Sequence, residues 1–182
     1  LKGYKEMQKI SLDNEIGPAF QFHTNFHKRG STSHQAIHWK VDQATQLPDT
    51  LQKLAFYSIT DLAGLIQSKK ITSLALTEFF LARIKKYDDT LKSVISITKD
   101  IAISKAKKAD EEIAQGKYRG VLHGIPYGLK DLFTVLGTKT TWGAAPYKEQ
   151  SFDYDATVVK RLEEAGAVLI AKLVSGELAR GD

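Results

Sequence analysis

Along ITSLALTEFFLARIKKYDD, the apolar residues Leu76, Phe80, Ile84 and Tyr87 recur at steps of four, four and three, and Leu81 widens the stripe. That period predicts an amphipathic helix. Thr72 stands where it can cap the start, and Lys85 and Lys86 fall in the last turns, where cations suit the carbonyl end. A shorter helix is predicted over residues 61–67, capped by Thr60 and carrying Asp61 in its first turn. The β-branched run SVISIT, 93–98, reads as a strand. A third helix runs from about Lys99 to Gln115, and Gly116 stops it.

Beyond this point the pattern changes. Gly120, Gly124, Gly128, Gly137 and Gly143 punctuate short apolar pieces, which reads as loop and strand. Asp155 is expected to cap a last helix, DATVVKRLEEAG, with Val158, Val159, Leu162 and Ala165 as its buried stripe and Gly166 as the turn that ends it. AVLIA follows at once as a continuously apolar strand, the pattern of a strand covered on both faces and paired on both sides. Helix, two-residue turn and buried strand together predict an α/β fold. Residues 1–50 lack such periodicity and are rich in Gln, His, Ser and Thr, so residues 1–57 are expected to form an irregular arm or strap ahead of a regular body at 58–182.

A chain of 182 residues can bury a core of useful size. Its first residue is Leu1 and its last Asp182, from which both ends are expected to be cut or processed. The absence of cysteine removes disulfides, thiol nucleophiles and thiolate metal sites, and suits either the cytoplasm or an exported protein whose signal peptide has been removed. No membrane-spanning run is present. The net charge of +5 arises in residues 51–120, where 13 basic and 8 acidic side chains alternate in sign along helical patterns. That arrangement reads as a solvated face rather than a nucleic-acid surface. His23, His27, His34 and His38 form two i,i+4 pairs, but weak helix formers surround them and no carboxylate stands at motif spacing, so no metal site is expected. HExxH, GxxxxGK[ST] and GxGxxG are all missing.

The chemistry concentrates in HGIPYGLKD, 123–131. Gly124-Ile125-Pro126, Lys130-Asp131, Thr140-Thr141-Trp142-Gly143, Asp155-Ala156-Thr157-Val158-Val159, Leu162, Ala165-Gly166-Ala167, Ala171-Lys172 and Glu177 together resemble the amidase signature family in content and order. The close resemblance covers about residues 118–182, and a looser helical one reaches back to Ser58. It implies an amidase-signature-like mixed sheet covered by helices, here the incomplete N-terminal part of that fold. It also implies a Ser-cis-Ser-Lys triad that cleaves a carboxylic amide through a serine acyl-enzyme, with Lys130 as the ultimate base. Asp131, Gly128, Thr141, Trp142 and Lys172 are the expected supporting residues. The Gly/Ser-rich segment that holds both serines in the family has no match in this chain, and Ser151 and Ser175 lack that setting. The activity is therefore expected of the full-length protein and not of these 182 residues alone.

A lysine acts as a base near neutrality only where burial or neighbouring cations favour its neutral form. The approach to Lys130 through Ile125, Pro126, Gly128 and Leu129 is apolar or small, whereas the adjacent Asp131 would oppose deprotonation if it touched the amine. Alternation along a strand instead directs Asp131 to the other side, to hydrogen-bond to backbone there. Without the family pattern, Lys130 reads as a paired structural lysine. Ala171, Leu173-Val174-Ser175 and Trp142 depart from the commoner family residues, and the sequence leaves open whether Trp142 lines a pocket or packs in the core. The expected partner is a small or medium amide, with no metal or cofactor and a homodimer of the full-length protein allowed. The alternatives are an A-type amidotransferase subunit, which would act on charged tRNA, and a non-catalytic amidase-like binding module.

Overall fold

The computed structural model describes residues 39–180, with Glu6 and Lys9 ahead of them. The arm histidines His23, His27, His34 and His38 lie outside the described residues. The regular body holds helices α1 (Ile59–Gln67), α2 (Ser73–Leu91), α3 (Lys99–Ala114) and α4 (Thr157–Glu164), and strands β1 (Val94–Ile97), β2 (Pro126–Lys130) and β3 (Val168–Leu173). The sheet has the order β1-β3-β2. β1 runs antiparallel to β3 and β2 parallel to it, so the sheet is mixed, as the sequence predicts.

β3 lies in the middle because its residues have no polar face to offer: Val168, Leu169, Ile170, Ala171 and Lys172 are all buried. Its two faces serve different helices. Val168, Ile170 and Ala171 pack with Ala102 and Ala106 of α3, whose small side chains bring that helix close to the sheet, and with Leu81 and Ile84 of α2. Leu169 packs on the other side with Val159 of α4, Leu129 and Val135. Among the described residues the edges of the sheet are thus β1 and β2, while the strand AVLIA has a partner on each side.

Helix ends follow local chemistry, with two departures from expectation. α1 begins earlier than predicted, at Ile59, capped by Ser58 instead of Thr60: the Ser58 hydroxyl accepts from Asp61 N at 3.1 Å and the Asp61 carboxylate accepts from Ser58 N at 3.2 Å, a reciprocal box. α4 is preceded by Ala156 with no side-chain cap, because Asp155 accepts the Leu136 amide at 2.8 Å and so ties a loop instead of a helix end. Thr72 does cap α2, accepting from Ala75 N at 3.0 Å, and Asp110 of α3 accepts the amides of Ser73 and Leu74 at 2.7 and 3.0 Å. The opening amides of α2 are in this way satisfied partly by its own cap and partly by a second helix. Tyr87 and Val158, expected in buried stripes, are 38% and 39% exposed.

Residues 39–57 contact this body at several points. Leu54 is buried with Leu62, Leu65, Ile66 and Leu76, a cluster in which each large side chain contributes about 1.5–3 kcal/mol. Lys70 Nζ donates to the carbonyls of Gln43 and Thr45, and Tyr57 Oη to that of Gln46. Among the described residues no helix is long and apolar enough to cross a membrane.

Gly166 ends α4 with φ of +80°, and a Cβ there would lie 2.3 Å from His123 Cδ2. Conformation and space therefore both demand glycine. Gly166→Ala is expected to lower unfolding free energy by about 2–4 kcal/mol, combining left-handed strain with overpacking, as read from urea denaturation.

Candidate active site

β2 opens with Pro126, whose missing N–H is tolerated at the first residue of an edge strand. It closes with the half-buried Lys130, paired in register with Leu173 at the end of the parallel strand β3. Lys130 thus stands at the carboxyl ends of adjacent parallel strands, where open α/β sheets bind ligands.

The next residue is the hub. Asp131 is buried, its amide donates to Leu173 O at 2.9 Å, and its carbonyl accepts from Trp142 N at 3.2 Å. Its Oδ1 pairs with Lys172 Nζ at 2.8 Å, with the two side chains 1% and 0% exposed. Its Oδ2 accepts from Thr141 N at 2.8 Å and from Thr141 Oγ1 at 2.6 Å. The Lys172 ammonium directs its other hydrogens to Thr140 Oγ1 at 3.0 Å and Lys139 O at 3.1 Å. The ammonium thus has two hydrogen-bond acceptors and a carboxylate, Oδ2 takes two hydrogen bonds, and Oδ1 faces the ammonium as its ion-pair partner, an arrangement that offsets the cost of burying both charges.

The structure brings Asp131, Thr141, Trp142 and Lys172 together directly after Lys130. Asp131 bonds to a side chain of β3 and to the 140–142 segment, rather than to backbone alone as the strand alternation suggests. Gly128 sits apart: it is exposed, and a Cβ there would lie 2.8 Å from the Leu173 side chain, so its role is packing between β2 and β3. Trp142 has φ of +53°, is half-buried, and packs its ring at 5.1 Å from Tyr147 and 6.0 Å from Phe152. It belongs to a surface-proximal aromatic cluster and not to the sheet core. Its carbonyl accepts from Leu178 N at 2.8 Å, and the following Gly143 leaves no room for a Cβ beneath Ser175 O. Ser175 Oγ donates to Gly176 O, and Ser151 is exposed on an isolated bridge with Lys139.

Sequence reasoning missed two contributors. Thr140 is one, although its place beside Thr141 in a quoted motif was a signal. The other is the network at the opposite end of β2. His123 is buried, its Nδ1 accepts from Arg119 N at 3.2 Å, and its Nε2 faces Glu112 at 3.2 Å. Arg119 grips Glu112 at 2.7 and 2.5 Å and reaches the carbonyls of Glu163 and Glu164 at the end of α4. Burial lowers the His123 pKa from the ordinary imidazole range although Glu112 opposes this, and the hydrogen bond from Arg119 holds the Glu112 carboxyl below its ordinary value. Among the described residues no group of histidine and carboxylate side chains could hold a metal ion.

A protein-family model described as Amidase matches residues 75–181. AmiD of Mycobacterium tuberculosis, which carries an amidase name, is 42% identical over 129 residues, 71% of this chain and 26% of the relative. The A-type subunit of the glutamyl-tRNA(Gln) amidotransferase of Coxiella burnetii is 42% identical over 124 residues, covering 68% of this chain and 26% of that relative. Among solved structures, the native peptide amidase from Stenotrophomonas maltophilia superposes with a TM-score of 0.65 at 35% identity over 69% of this chain and 26% of its own. A bacterial aryl acylamidase of the amidase signature family superposes with a TM-score of 0.63 at 25% identity over 67% and 26%. The helix-covered mixed sheet with a lysine at a strand end is thus part of an amidase-signature α/β fold. The chain belongs to the amidase family. It spans about a quarter of the length of the relatives it matches.

The His123 network makes stability depend on pH with a definite sign. The unfolded chain binds a proton at this imidazole more readily than the folded one, so the stabilisation is complete above the ordinary imidazole range and is lost as pH falls through it. The urea midpoint is expected to fall between about pH 7 and pH 5, and His123→Gln to flatten that dependence. A midpoint constant across this range in the unsubstituted chain would contradict the assignment.

Proposed function

We propose that this chain is the base-bearing portion of an amide hydrolase, in which Lys130 is the ultimate base of a serine acyl-enzyme mechanism. Residues 1–57 would be its arm or strap and residues 58–182 the N-terminal part of its amidase domain. The observation that carries the reading is the position of Lys130: at the carboxyl end of β2, directly before an aspartate whose carboxylate meets Lys172 and Thr141. The reading needs the Lys130 amine to exchange protons with a hydroxyl brought to it. In the resemblance that hydroxyl is the cis serine, which relays protons to and from the nucleophilic serine, and both belong to a segment without a match here.

In the reaction, the nucleophilic serine oxygen bonds to the amide carbon as its proton passes through the cis serine to the Lys130 amine. The proton returns to the leaving nitrogen as the C–N bond breaks, and water then splits the ester by the same route. Aromatic side chains near the strand ends, Trp142 with Tyr147 and Phe152, favour a small or medium apolar amide as the substrate class. The protein is read as a stand-alone hydrolase, with a homodimer of the full-length form part of the same proposal. Glutamine-dependent transamidation of charged tRNA in a complex with an unlike subunit would replace this reading by the amidotransferase one.

In the full-length protein, Lys130→Ala is expected to reduce kcat on a simple aromatic amide by at least about 100-fold with the fold retained. Lys130→Arg is expected not to rescue, because a guanidinium stays protonated. Retention of a tenth of the parent kcat in either variant would remove Lys130 from the mechanism.

A further inference from the structure

Lys172 is fully buried, and the proposed reaction assigns it no proton transfer. Its ammonium joins three separate pieces of chain: β3, from which it projects, Asp131 at the end of β2, and the 139–140 segment through Lys139 O and Thr140 Oγ1. An apolar side chain of similar length would fill the space without demanding three acceptors, so packing alone does not account for a cation here. What a cation supplies beyond packing is a counter-charge for the carboxylate adjacent to Lys130.

We propose that Lys172 is a positioning residue for the amide-cleavage site, acting on Lys130 through Asp131. The inference rests on the reading of Lys130 as the base. It has two physical parts. The ion pair fixes the end of β2, since Asp131 also uses its amide on Leu173 O and its carbonyl on Trp142 N, so the direction of the preceding side chain is set by the pair. The pair also cancels the Asp131 charge, which would otherwise favour the protonated form of a neighbouring amine. The charged groups on the elements packed around Asp131 are Lys130 on its own strand, Lys172 on β3, Lys139 on the 139–143 segment, and Glu177 and Arg180 beyond β3. Lys139 turns its ammonium outward to Glu149, and Glu177 and Arg180 are exposed, whereas Lys172 is fully buried and contacts the carboxylate directly.

Charge cancellation makes opposite-sign predictions that loosening of the structure does not. In the full-length enzyme, Lys172→Met leaves the Asp131 carboxylate uncompensated. It is expected to move the acid limb of the kcat/KM profile to higher pH by about one unit. It is also expected to lower kcat about 100-fold with KM within about threefold, the scale of a misplaced reacting group. Asp131→Asn leaves the cation uncompensated and moves the limb to lower pH. Lys172→Arg keeps the charge and keeps the limb in place. Circular dichroism establishes which variants fold, and if one single substitution does not, the sign of the other decides. If neither folds, the isosteric pair Lys172→Met with Asp131→Asn is compared with the parent: a limb within about 0.3 unit supports charge cancellation, and a larger shift overturns it. Limbs that stay in place, or that move in the same direction, in folded single variants overturn the proposal. The Lys130→Ala variant run alongside separates the two ideas, since its activity tests the base assignment whatever Lys172 does.

Discussion

The buried ion pair between Asp131 and Lys172 is the constraint around which the strand ends are arranged. Taking both charges out of water costs several kcal/mol per ion, and the loss is offset only where geometry is good and the remaining hydrogen-bonding capacity is used. That requirement explains the conformation of the 139–143 segment. It must bring Lys139 O and Thr140 Oγ1 to the ammonium and the Thr141 amide and hydroxyl to the carboxylate, all within 2.6–3.1 Å. Trp142 accordingly takes a left-handed φ, and its carbonyl is left to receive the Leu178 amide. Strain at one non-glycine residue is thereby exchanged for a satisfied interior charge.

β2 needs such anchoring because it is five residues long and, among the described residues, pairs with β3 alone. A short edge strand of this kind gains little from its own ladder. Two polar anchors hold its ends. At the start, His123 is enclosed by Arg119 and Glu112 and lies against Gly166, so the end of α4 and the entry to β2 are held together. At the finish, Asp131 ties β2 to β3 and to the 140–142 segment. Between them, Leu129 contributes the apolar contact to Val159 and Leu169. Lys130 is held at the end of a strand whose direction is specified at both termini, which is how a flexible side chain acquires a defined place.

Much of the fold was legible because its signals are local. The stripe of Leu76, Phe80 and Ile84, the Thr72 cap and the αL turn at Gly166 each depend on residues within a few positions, and each is found in the structure. The unbroken apolar run ahead of Lys172 required a central strand, since no polar face existed to turn to water. The caps expected at Thr60 and Asp155 were misplaced for a physical reason: several hydroxyl and carboxylate side chains near a helix start compete, Ser58 holds the first helix, and a distant amide, that of Leu136, won Asp155.

The sequence by itself determined the class of the fold, the order of its elements and Lys130 as the residue to examine. Periodicity, turn chemistry and an ordered set of short motifs are all written along the chain. Only the tertiary structure decided what Asp131 does. Its partners, Thr141 and Lys172, lie 10 and 41 positions away, and nothing in local spacing distinguishes a carboxylate that faces its neighbouring lysine from one drawn inward by a buried ammonium. The same holds for His123, Glu112 and Arg119, which meet because α3, α4 and β2 pack on one sheet. Long-range polar pairing depends on which groups lose water together, and that is settled when the layers close.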